Sequence, residues 1–197
     1  MPPIATLATA QSDYERIART LALAFQKEEA CSYIFPEPKD RARRLLSMFR
    51  VITANDAVSG RLYQTEMAEA ATLWRAPGNT AGNWLDFLRS LLPFVSALGG
   101  NIGRALKISG LIEKHHPQID FWYLHFAGCV PEQQGKGLGG AAIRVGLAHA
   151  DAAHQPCYLE TATEANLALY QHLGFELTDE WSVSNDLRFW GMLRPAR

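Results

Sequence analysis

The sequence has few cysteines, little net charge and no long apolar segment. Cys31, Cys129 and Cys157 are odd in number and irregularly spaced, which argues against a disulfide framework or a zinc ribbon. The formal net charge of −1 gives no electrostatic reason to expect nucleic acid or an anionic membrane as a partner. No uncharged apolar run reaches the roughly 20 residues that cross a bilayer. We therefore expect a cytoplasmic protein without nucleic-acid or membrane partners.

Signals for secretion, metal binding and division into domains are also missing. The first residues lack the basic start and apolar run of a signal peptide. The six histidines show no H-x-x-x-H or Cys/His pairing, so we expect no metal site. A chain of 197 residues can bury a full core and is short for two domains. Without repeats or a linker, the prediction is a single domain over residues 1–197.

Hydrophobic periodicity predicts a chain of mixed helices and strands. The first half is expected to contain a strand at 4–8, a helix from Ser12 or Asp13 to Phe25, an irregular segment at 28–39, a helix at 40–52 and a hairpin with strands at 61–65 and 69–74. Residues 79–117 are expected to be mainly helical, with an interruption at Gly99-Gly100. Afterwards strands and helices alternate: strand 120–130, helix from Leu138, strand 157–161, helix from Ala165, and strands 175–183 and 187–193.

A glycine-rich turn lies between the strand at 120–130 and the helix that begins near Leu138. Four of its residues are glycines, namely Gly135, Gly137, Gly139 and Gly140. Glycines let a ligand approach the backbone closely, and the N–H groups and dipole of a helix N-terminus attract anions. The turn therefore predicts a site for the phosphate or pyrophosphate of a cofactor.

Two nucleotide motifs can be compared with this turn. A P-loop needs Ser or Thr directly after the lysine, and Gly137 follows Lys136, so that motif is excluded. The dinucleotide fingerprint G-x-G-x-x-G is satisfied by Gly135, Gly137 and Gly140, and Glu160 stands about twenty residues further on. Residues 131–134 separate this motif from its strand, and little chain follows for a doubly wound sheet. An NAD(P)-dependent reductase is therefore the alternative.

Two blocks of sequence resemble the GNAT N-acetyltransferase superfamily. Gln134, Gly137 and Gly139 match its Gln/Arg-x-x-Gly-x-Gly/Ala signature, and Val130-Pro131 stands where the superfamily has that pair. The last conserved block is matched by Asn166, Tyr170, Gly174 and Phe175. The resemblance is specific over about 121–181. Residues 71–78 and 115–124 look most like the puromycin N-acetyltransferase-like branch.

The resemblance implies an α/β fold in which a twisted, mixed sheet has helices on both faces. Its two central parallel strands, 120–130 and 157–161, should splay apart and admit the pantetheine arm of acetyl-CoA as a co-substrate. The arm would pair with backbone around Gly128, Cys129 and Val130, and the pyrophosphate would bind to main-chain N–H groups of Gln134, Gly135, Lys136, Gly137, Leu138, Gly139 and Gly140. We expect a β-bulge at Gly128, the alternative being a tight packing contact. Cys129 is expected to be a buried strand residue without a covalent role.

The resemblance also implies roles in catalysis. Tyr170 matches the superfamily's general acid toward the CoA sulfur, and Asn166, four residues earlier, would lie on the same helical face and address the cofactor; the alternative for Tyr170 is core packing. Glu160 is our first choice for the base that takes the proton of the amine, and its alternative role is to cap the next helix. His125 and Asp120 are reserves for this role. His115 and His116 are expected to be loop residues.

The expected activity is transfer of an acetyl group to a primary amine of a small molecule. The segment 79–117 is where the superfamily varies most, and Trp84, Phe87 and Phe94 either wall an acceptor pocket or belong to the core. A non-catalytic acyl-CoA-binding sensor is a further alternative, and acetylation of protein lysines stays open. The resemblance also allows a homodimer.

Overall fold

A computed structural model describes residues 4–78 and 92–197 of the chain. The first part contains β1 (Ala5–Leu7), α1 (Gln11–Ala24), α2 (Glu29–Ile34), α3 (Pro38–Ser59), β2 (Gly60–Thr65) and β3 (Ala70–Arg75). The second part begins with helical residues 92–98 and a 3₁₀ turn at Gly99–Asn101. It continues with α4 (Ile102–His115), β4 (Trp122–Cys129), α5 (Leu138–Ala152), β5 (Cys157–Thr161), α6 (Leu167–His172), β6 (Glu176–Ser184) and β7 (Leu187–Arg194). The mixed α/β class is confirmed.

The seven strands form one sheet in the order β1-β2-β3-β4-β5-β7-β6. β4 and β5 are parallel, and the other neighbouring pairs are antiparallel. Pairing between β4 and β5 is confined to Trp122 with Cys157 and Tyr123 with Tyr158, although both strands continue further. The predicted splay of the central parallel strands is therefore confirmed.

Helices cover both faces of this sheet, as predicted. On one face, α1 and α3 bury apolar residues that recur at helical spacing, among them Ile17, Leu21, Leu45 and Phe49. On the other face, Ile143 and Leu147 of α5 belong to a core cluster with Trp74 and Leu124 of the sheet. Burial of such side chains stabilises the fold by roughly 1.5–3 kcal/mol each. No helix in the described ranges is long and apolar enough to span a membrane.

The segment 28–39, predicted to be irregular, is mostly helical. Glu28 caps α2, where its side chain accepts a hydrogen bond from the Cys31 N–H at 2.7 Å. Pro38 stands in the first turn of α3, where the missing N–H of proline needs no partner. The prediction was wrong because proline was interpreted as a helix breaker. Helix α3 also extends beyond the predicted 40–52, to Ser59.

The predicted bulge lies three residues earlier than expected. Leu73 pairs with Phe126 and Trp74 pairs with Leu124, which leaves His125 as the extra residue of β4. An extra residue interrupts the alternation of side chains, so His125 and Phe126 both face the α1–α3 side of the sheet. The ring of Phe126 lies 5.1 Å from that of Phe49.

Gly128 is a close packing position, so the prediction of a bulge there was wrong. A Cβ at Gly128 would lie 2.9 Å from the Cβ of Ala24 and 3.0 Å from a methyl carbon of Leu21. Both neighbours belong to α1. The alternative interpretation, a tight packing contact, is the one that the structure supports, because only glycine allows α1 to approach β4 this closely.

Candidate active site

The glycine-rich turn has the shape that its sequence predicts. A 3₁₀ turn at Pro131–Gln133 follows β4, and α5 begins at Leu138 with Gly137 as its N-cap. Gly135 and Gly137 have φ angles of +77° and +78°, which favour glycine. A Cβ at either position would meet no protein atom within 4 Å. The first N–H groups of a helix have no partner within the helix. The turn therefore presents donors to open space, which fits a diphosphate.

Side chains of the turn bind to their own loop. The Nε2 of Gln134 donates to the carbonyl of Cys129 at 3.1 Å, and Lys136 Nζ donates to Oε1 of Gln133 at 2.7 Å. These contacts tie the loop to the end of β4 and leave anion binding to the main chain. The N–H of Val130 donates to the carbonyl of Glu69 at 2.8 Å, so this donor is already engaged.

The remaining loop residues predicted to bind the cofactor lie at the start of α5 and the end of β4. Gly139 and Gly140 belong to the first turn of α5, and a Cβ at Gly139 would lie 4.0 Å from the Cβ of Cys129. Cys129 is half-buried rather than buried as predicted. Burial raises the pKa of its thiol, which keeps it protonated and supports the absence of a covalent role.

A cavity of about 800 Å³ lies beside the splayed strands and is bounded by α2, α3, α4, β4 and β5. The sequence-predicted residues Glu160, Tyr170, His125, Asp120 and Phe94 all line it. Asn166 ends a 3₁₀ turn directly before α6 and is not among the lining residues. Trp84 and Phe87 lie outside the described residues.

Glu160 places a buried carboxylate in this cavity. Its Oε1 accepts a hydrogen bond from the hydroxyl of Tyr123 on β4, and its Oε2 is buried without a hydrogen-bond partner among the described residues. Burial raises the pKa of Glu160 to about 7, although the bond from Tyr123 acts to lower it. The bond joins two strands rather than capping a helix, so the capping alternative was wrong. An unused oxygen and a pKa near neutrality suit a proton acceptor.

Tyr170 reaches the cavity from α6. Its ring packs edge-on against Phe175, with centroids 6.0 Å apart, so part of it also belongs to the core. Burial, and then the negative charges of Glu160 and Glu28, raise the pKa of the phenol to about 12. The hydroxyl is therefore protonated at neutral pH, as a proton donor must be.

Asp56 is a residue of the site that sequence reasoning missed. It lies on the buried face of α3, and Nε of Arg75 contacts its Oδ1 at 2.8 Å. Its Oδ2 lies 2.5 Å from Nδ1 of His125. Burial opposes ionisation of Asp56, but the contacts with His125 and Arg75 outweigh it and lower the pKa. One feature of the sequence could have pointed to Asp56: it is an acidic residue in the apolar stripe that contains Phe49 and Ile52.

His125 is positioned by this carboxylate. Because Asp56 faces Nδ1, the proton of a neutral ring belongs on Nδ1 and the lone pair on Nε2. Burial first, and then the charge of Arg75, lower the pKa of His125, so the ring is neutral at neutral pH. His125 lines the cavity with Glu160, and Tyr123 contacts both residues. It is therefore a second group that can accept a proton.

His115 lies in a helix, so the prediction that it is a loop residue was wrong, whereas His116 follows the helix with extended backbone, as predicted. His115 is the last residue of α4; its ring stacks on Trp181 at 4.3 Å and its Nδ1 lies 2.6 Å from Asp179. His116 caps α4 and packs edge-on against Tyr123 at 5.0 Å. Burial lowers the pKa of His116 to about 4. Pro117 disfavours helical backbone at the residue before it, His116, so the helix ends at His115.

Comparison with known proteins agrees with this geometry. No family model matches the chain. An uncharacterised N-acetyltransferase of Schizosaccharomyces pombe is 27% identical over 174 residues, which cover 83% of this chain and 70% of the yeast protein. A solved structure from Corynebacterium glutamicum, described as histone acetyltransferase HPA2 and related acetyltransferase, aligns with a TM-score of 0.73 at 24% identity, over 100% of this chain and 98% of its own. The chain therefore has the fold of the GNAT acetyltransferases and resembles a named N-acetyltransferase in sequence.

Other GNAT structures share the fold at lower identity. A Drosophila melanogaster polyamine N-acetyltransferase aligns with a TM-score of 0.66 at 14% identity, over 97% of this chain and 99% of the fly protein. The GNAT fold places the end of β4, the glycine turn and the splay next to one another, and the relatives support acetyl transfer as the reaction class.

Proposed function

We propose that this protein transfers an acetyl group from acetyl-CoA to a primary amine of a small molecule. The observation that carries the proposal is the open glycine turn at the end of a splayed strand, beside a cavity that holds Glu160 and Tyr170. The turn would bind the cofactor, and the cavity would hold the reacting groups.

Two features of the chain fit acetyl-CoA. The first is the turn itself, where the main-chain N–H groups of residues 134–140 would bind the pyrophosphate without help from a cationic side chain. The second is the edge of β4 beyond Tyr123, where pairing with β5 stops. An extended ligand with amide groups can pair with such an edge as an added strand would. Gly128, Cys129 and Val130 lie at the end of this edge, where Val130 would contribute its carbonyl.

The chemistry requires proton transfers at two atoms, the amine nitrogen and the thioester sulfur. The amine attacks the thioester carbonyl only after it loses a proton, and Oε2 of Glu160 is the acceptor proposed for that proton. A bond then forms between the amine nitrogen and the acetyl carbon, and the bond between that carbon and sulfur breaks. Tyr170 would donate its phenolic proton to the departing thiolate, and the second proton, which the nitrogen loses as it becomes an amide, would return to the phenolate. His125, held by Asp56, is the second candidate for the first transfer.

The sheet topology does not favour the alternative function of a nicotinamide-dependent reductase. A dinucleotide fingerprint belongs to a doubly wound parallel sheet, whereas here β4 has an antiparallel neighbour, β3, on one side. Glu160, which would bind the ribose, is hydrogen-bonded to Tyr123 inside the cavity.

Structural neighbours named as polyamine and arylalkylamine N-acetyltransferases support a small-molecule acceptor.

The test combines cofactor binding with turnover. We expect acetyl-CoA to bind and NAD(P)H not to bind in parallel calorimetric titrations. Release of free CoA would then be followed with a panel of polyamines, aminonucleosides, arylalkylamines, amino acids and peptides. Binding of NAD(P)H alone would overturn the proposal. Binding of acetyl-CoA without CoA release from any amine would identify a sensor rather than an enzyme.

A further inference from the structure

The inner face of α4 is apolar, and the described residues cover it only in part. Ile102, Ala105, Ile108 and Ile112 line the cavity, and we call these four residues the α4 wall. Among the 14 residues of α4, Ile108 is the buried one. Ile102, Ala105 and Ile112 pack against the core while staying partly exposed. An apolar helix face that borders a cavity of this size is suited to an apolar ligand.

The opposite side of the cavity is also mainly apolar, with Asn55 and Ser59 of α3 as polar lining residues. Ile34 of α2 and Met48 and Ile52 of α3 line it, and all three belong to the main core cluster. Phe94, from the helical residues before α4, lies among them. A ligand between these helices therefore meets hydrocarbon on both sides. Such surroundings strongly disfavour a second charged group on the ligand, because an unpaired buried charge is costly.

Negative charge inside the cavity is concentrated at one end. The carboxylates of Glu160 and Glu28 both lie close enough to Tyr170 to act on its phenol electrostatically. Asp56, which is buried, is engaged by Arg75 and His125. Glu113 and Asp120 also line the cavity but are exposed to solvent, which weakens their attraction for a cation. The cavity thus offers one buried anionic end and an apolar body.

We infer that the acceptor is a primary amine carried on an apolar alkyl or aryl body, with the amine at Glu160 and the body along the α4 wall. The inference rests on the proposed function for the identity of the reacting group. It distinguishes an amphiphilic monoamine from a polyamine, whose second ammonium would have to lie against the α4 wall. It also makes α4 the specificity element of the site.

Hexylamine and 1,5-diaminopentane form a matched pair of probes, because they differ only in a terminal methyl against a terminal ammonium. CoA release should give a kcat/KM at least about 100-fold higher for hexylamine, since a hydrophobic pocket rejects the unpaired charge. Equal or better turnover of 1,5-diaminopentane would overturn the inference and leave the proposed function standing. Turnover confined to a peptide amine would overturn it as well.

Variants of α4 test where the apolar body lies. Ile112→Asp should lower kcat/KM for hexylamine at least about tenfold and reduce the preference over 1,5-diaminopentane. Gly110→Asp is the matched control, because it adds the same charge to the same helix where a Cβ meets no atom within 4 Å. The control should leave the preference unchanged. Ala105→Phe keeps the α4 wall apolar but fills the space beside it. This variant should lower kcat/KM for 4-phenylbutylamine far more than for ethylamine. Selectivity unaffected in folded Ile112→Asp and Ala105→Phe proteins would overturn the inference.

A binding measurement separates this inference from the proposed function. Hexylamine and 1,5-diaminopentane would be titrated calorimetrically into the protein in the presence of CoA. Binding of hexylamine alone, without CoA release in the assay with acetyl-CoA, would uphold the apolar site and overturn catalysis. Failure of both amines to bind or to be acetylated would overturn the apolar site.

Discussion

Replacement of Glu160 by glutamine should make the protein less active and more stable. The amide keeps the shape of the side chain, and its oxygen can still accept the hydrogen bond from Tyr123. It cannot take a proton from an amine. If Glu160 is the base, turnover should fall roughly 10²–10⁴-fold. In the wild-type protein the pKa of this base is about 7, so its ionised fraction falls about tenfold for each pH unit below 7. Activity at pH 5 should thus be about 100-fold below its plateau.

The stability effect follows from the direction of the same pKa. Burial raises the pKa of Glu160 from 4.5 to about 7, so folding favours the protonated carboxyl. The cost of burying the ionised form is absent below pH 4.5, grows up to pH 7 and is complete above it. It amounts to roughly 3 kcal/mol. Glu160→Gln should therefore raise the free energy of unfolding at pH 8 by up to this amount, and leave it nearly unchanged at pH 4.

The assay has two parts, both performed on the same preparations. CoA release is measured from pH 5 to 9 for the wild type and for Glu160→Gln, and urea unfolding is measured at pH 4 and pH 8. The reasoning would be refuted if the variant kept its activity and if its pH–rate profile still fell on the acidic side near pH 7. An unfolding free energy that is equal at pH 8 in both proteins would show that Glu160 is not a buried, ionised carboxylate.

Three further predictions concern the other parts of the site. Gly137→Ala should weaken acetyl-CoA binding sharply in calorimetry while Lys136→Ala has a smaller effect, because the main chain and not the lysine holds the anion; equal effects would argue for the side chain. Tyr170→Phe should lower turnover roughly 10²–10⁴-fold with little change in acetyl-CoA affinity, and unchanged turnover where chemistry limits the rate would remove this proton donor. Asp56→Asn should leave the His125 ring without its anionic partner and change the pH–rate profile; a fall in thermal stability with an unchanged profile would indicate a structural role only.

Local patterns in the sequence predicted those features of the fold that depend on a single helix, strand or turn. The glycine turn between a strand and a helix was recognisable because Gly135 and Gly137 adopt backbone conformations that other residues disfavour. The helical spacing of Ile17 and Leu21 likewise indicated α1, and helices on both sheet faces followed from the resemblance to the superfamily. The splay followed from the resemblance to the superfamily, and the pairing of β4 with β5 confirms it.

Features that depend on distant residues were not predictable in the same way. Asp56 lies 19 residues from Arg75 and 69 from His125 in the chain, so no spacing rule connects them. The bulge was assigned to Gly128 because glycine is typical of bulges, but the register between β3 and β4 decides its position. The prolines at 36 and 38 were interpreted without the helix that Pro38 begins. Tertiary pairing, rather than local preference, determined each of these outcomes.

Because of the bulge, the neighbouring residues His125 and Phe126 lie on the same face of β4 and have different roles. Phe126 fills the core between Phe25 and Phe49, and its side chain is fixed by those neighbours. His125 is the extra residue of the bulge and has no pairing partner in β3, so cross-strand pairing does not determine which residue stands there. A substitution of His125 would therefore leave the register between β3 and β4 unchanged and remove only the side chain's own contacts, which are with Asp56, Tyr123 and Phe126. A single inserted residue gives this strand a place where the chemistry can change while the architecture is preserved.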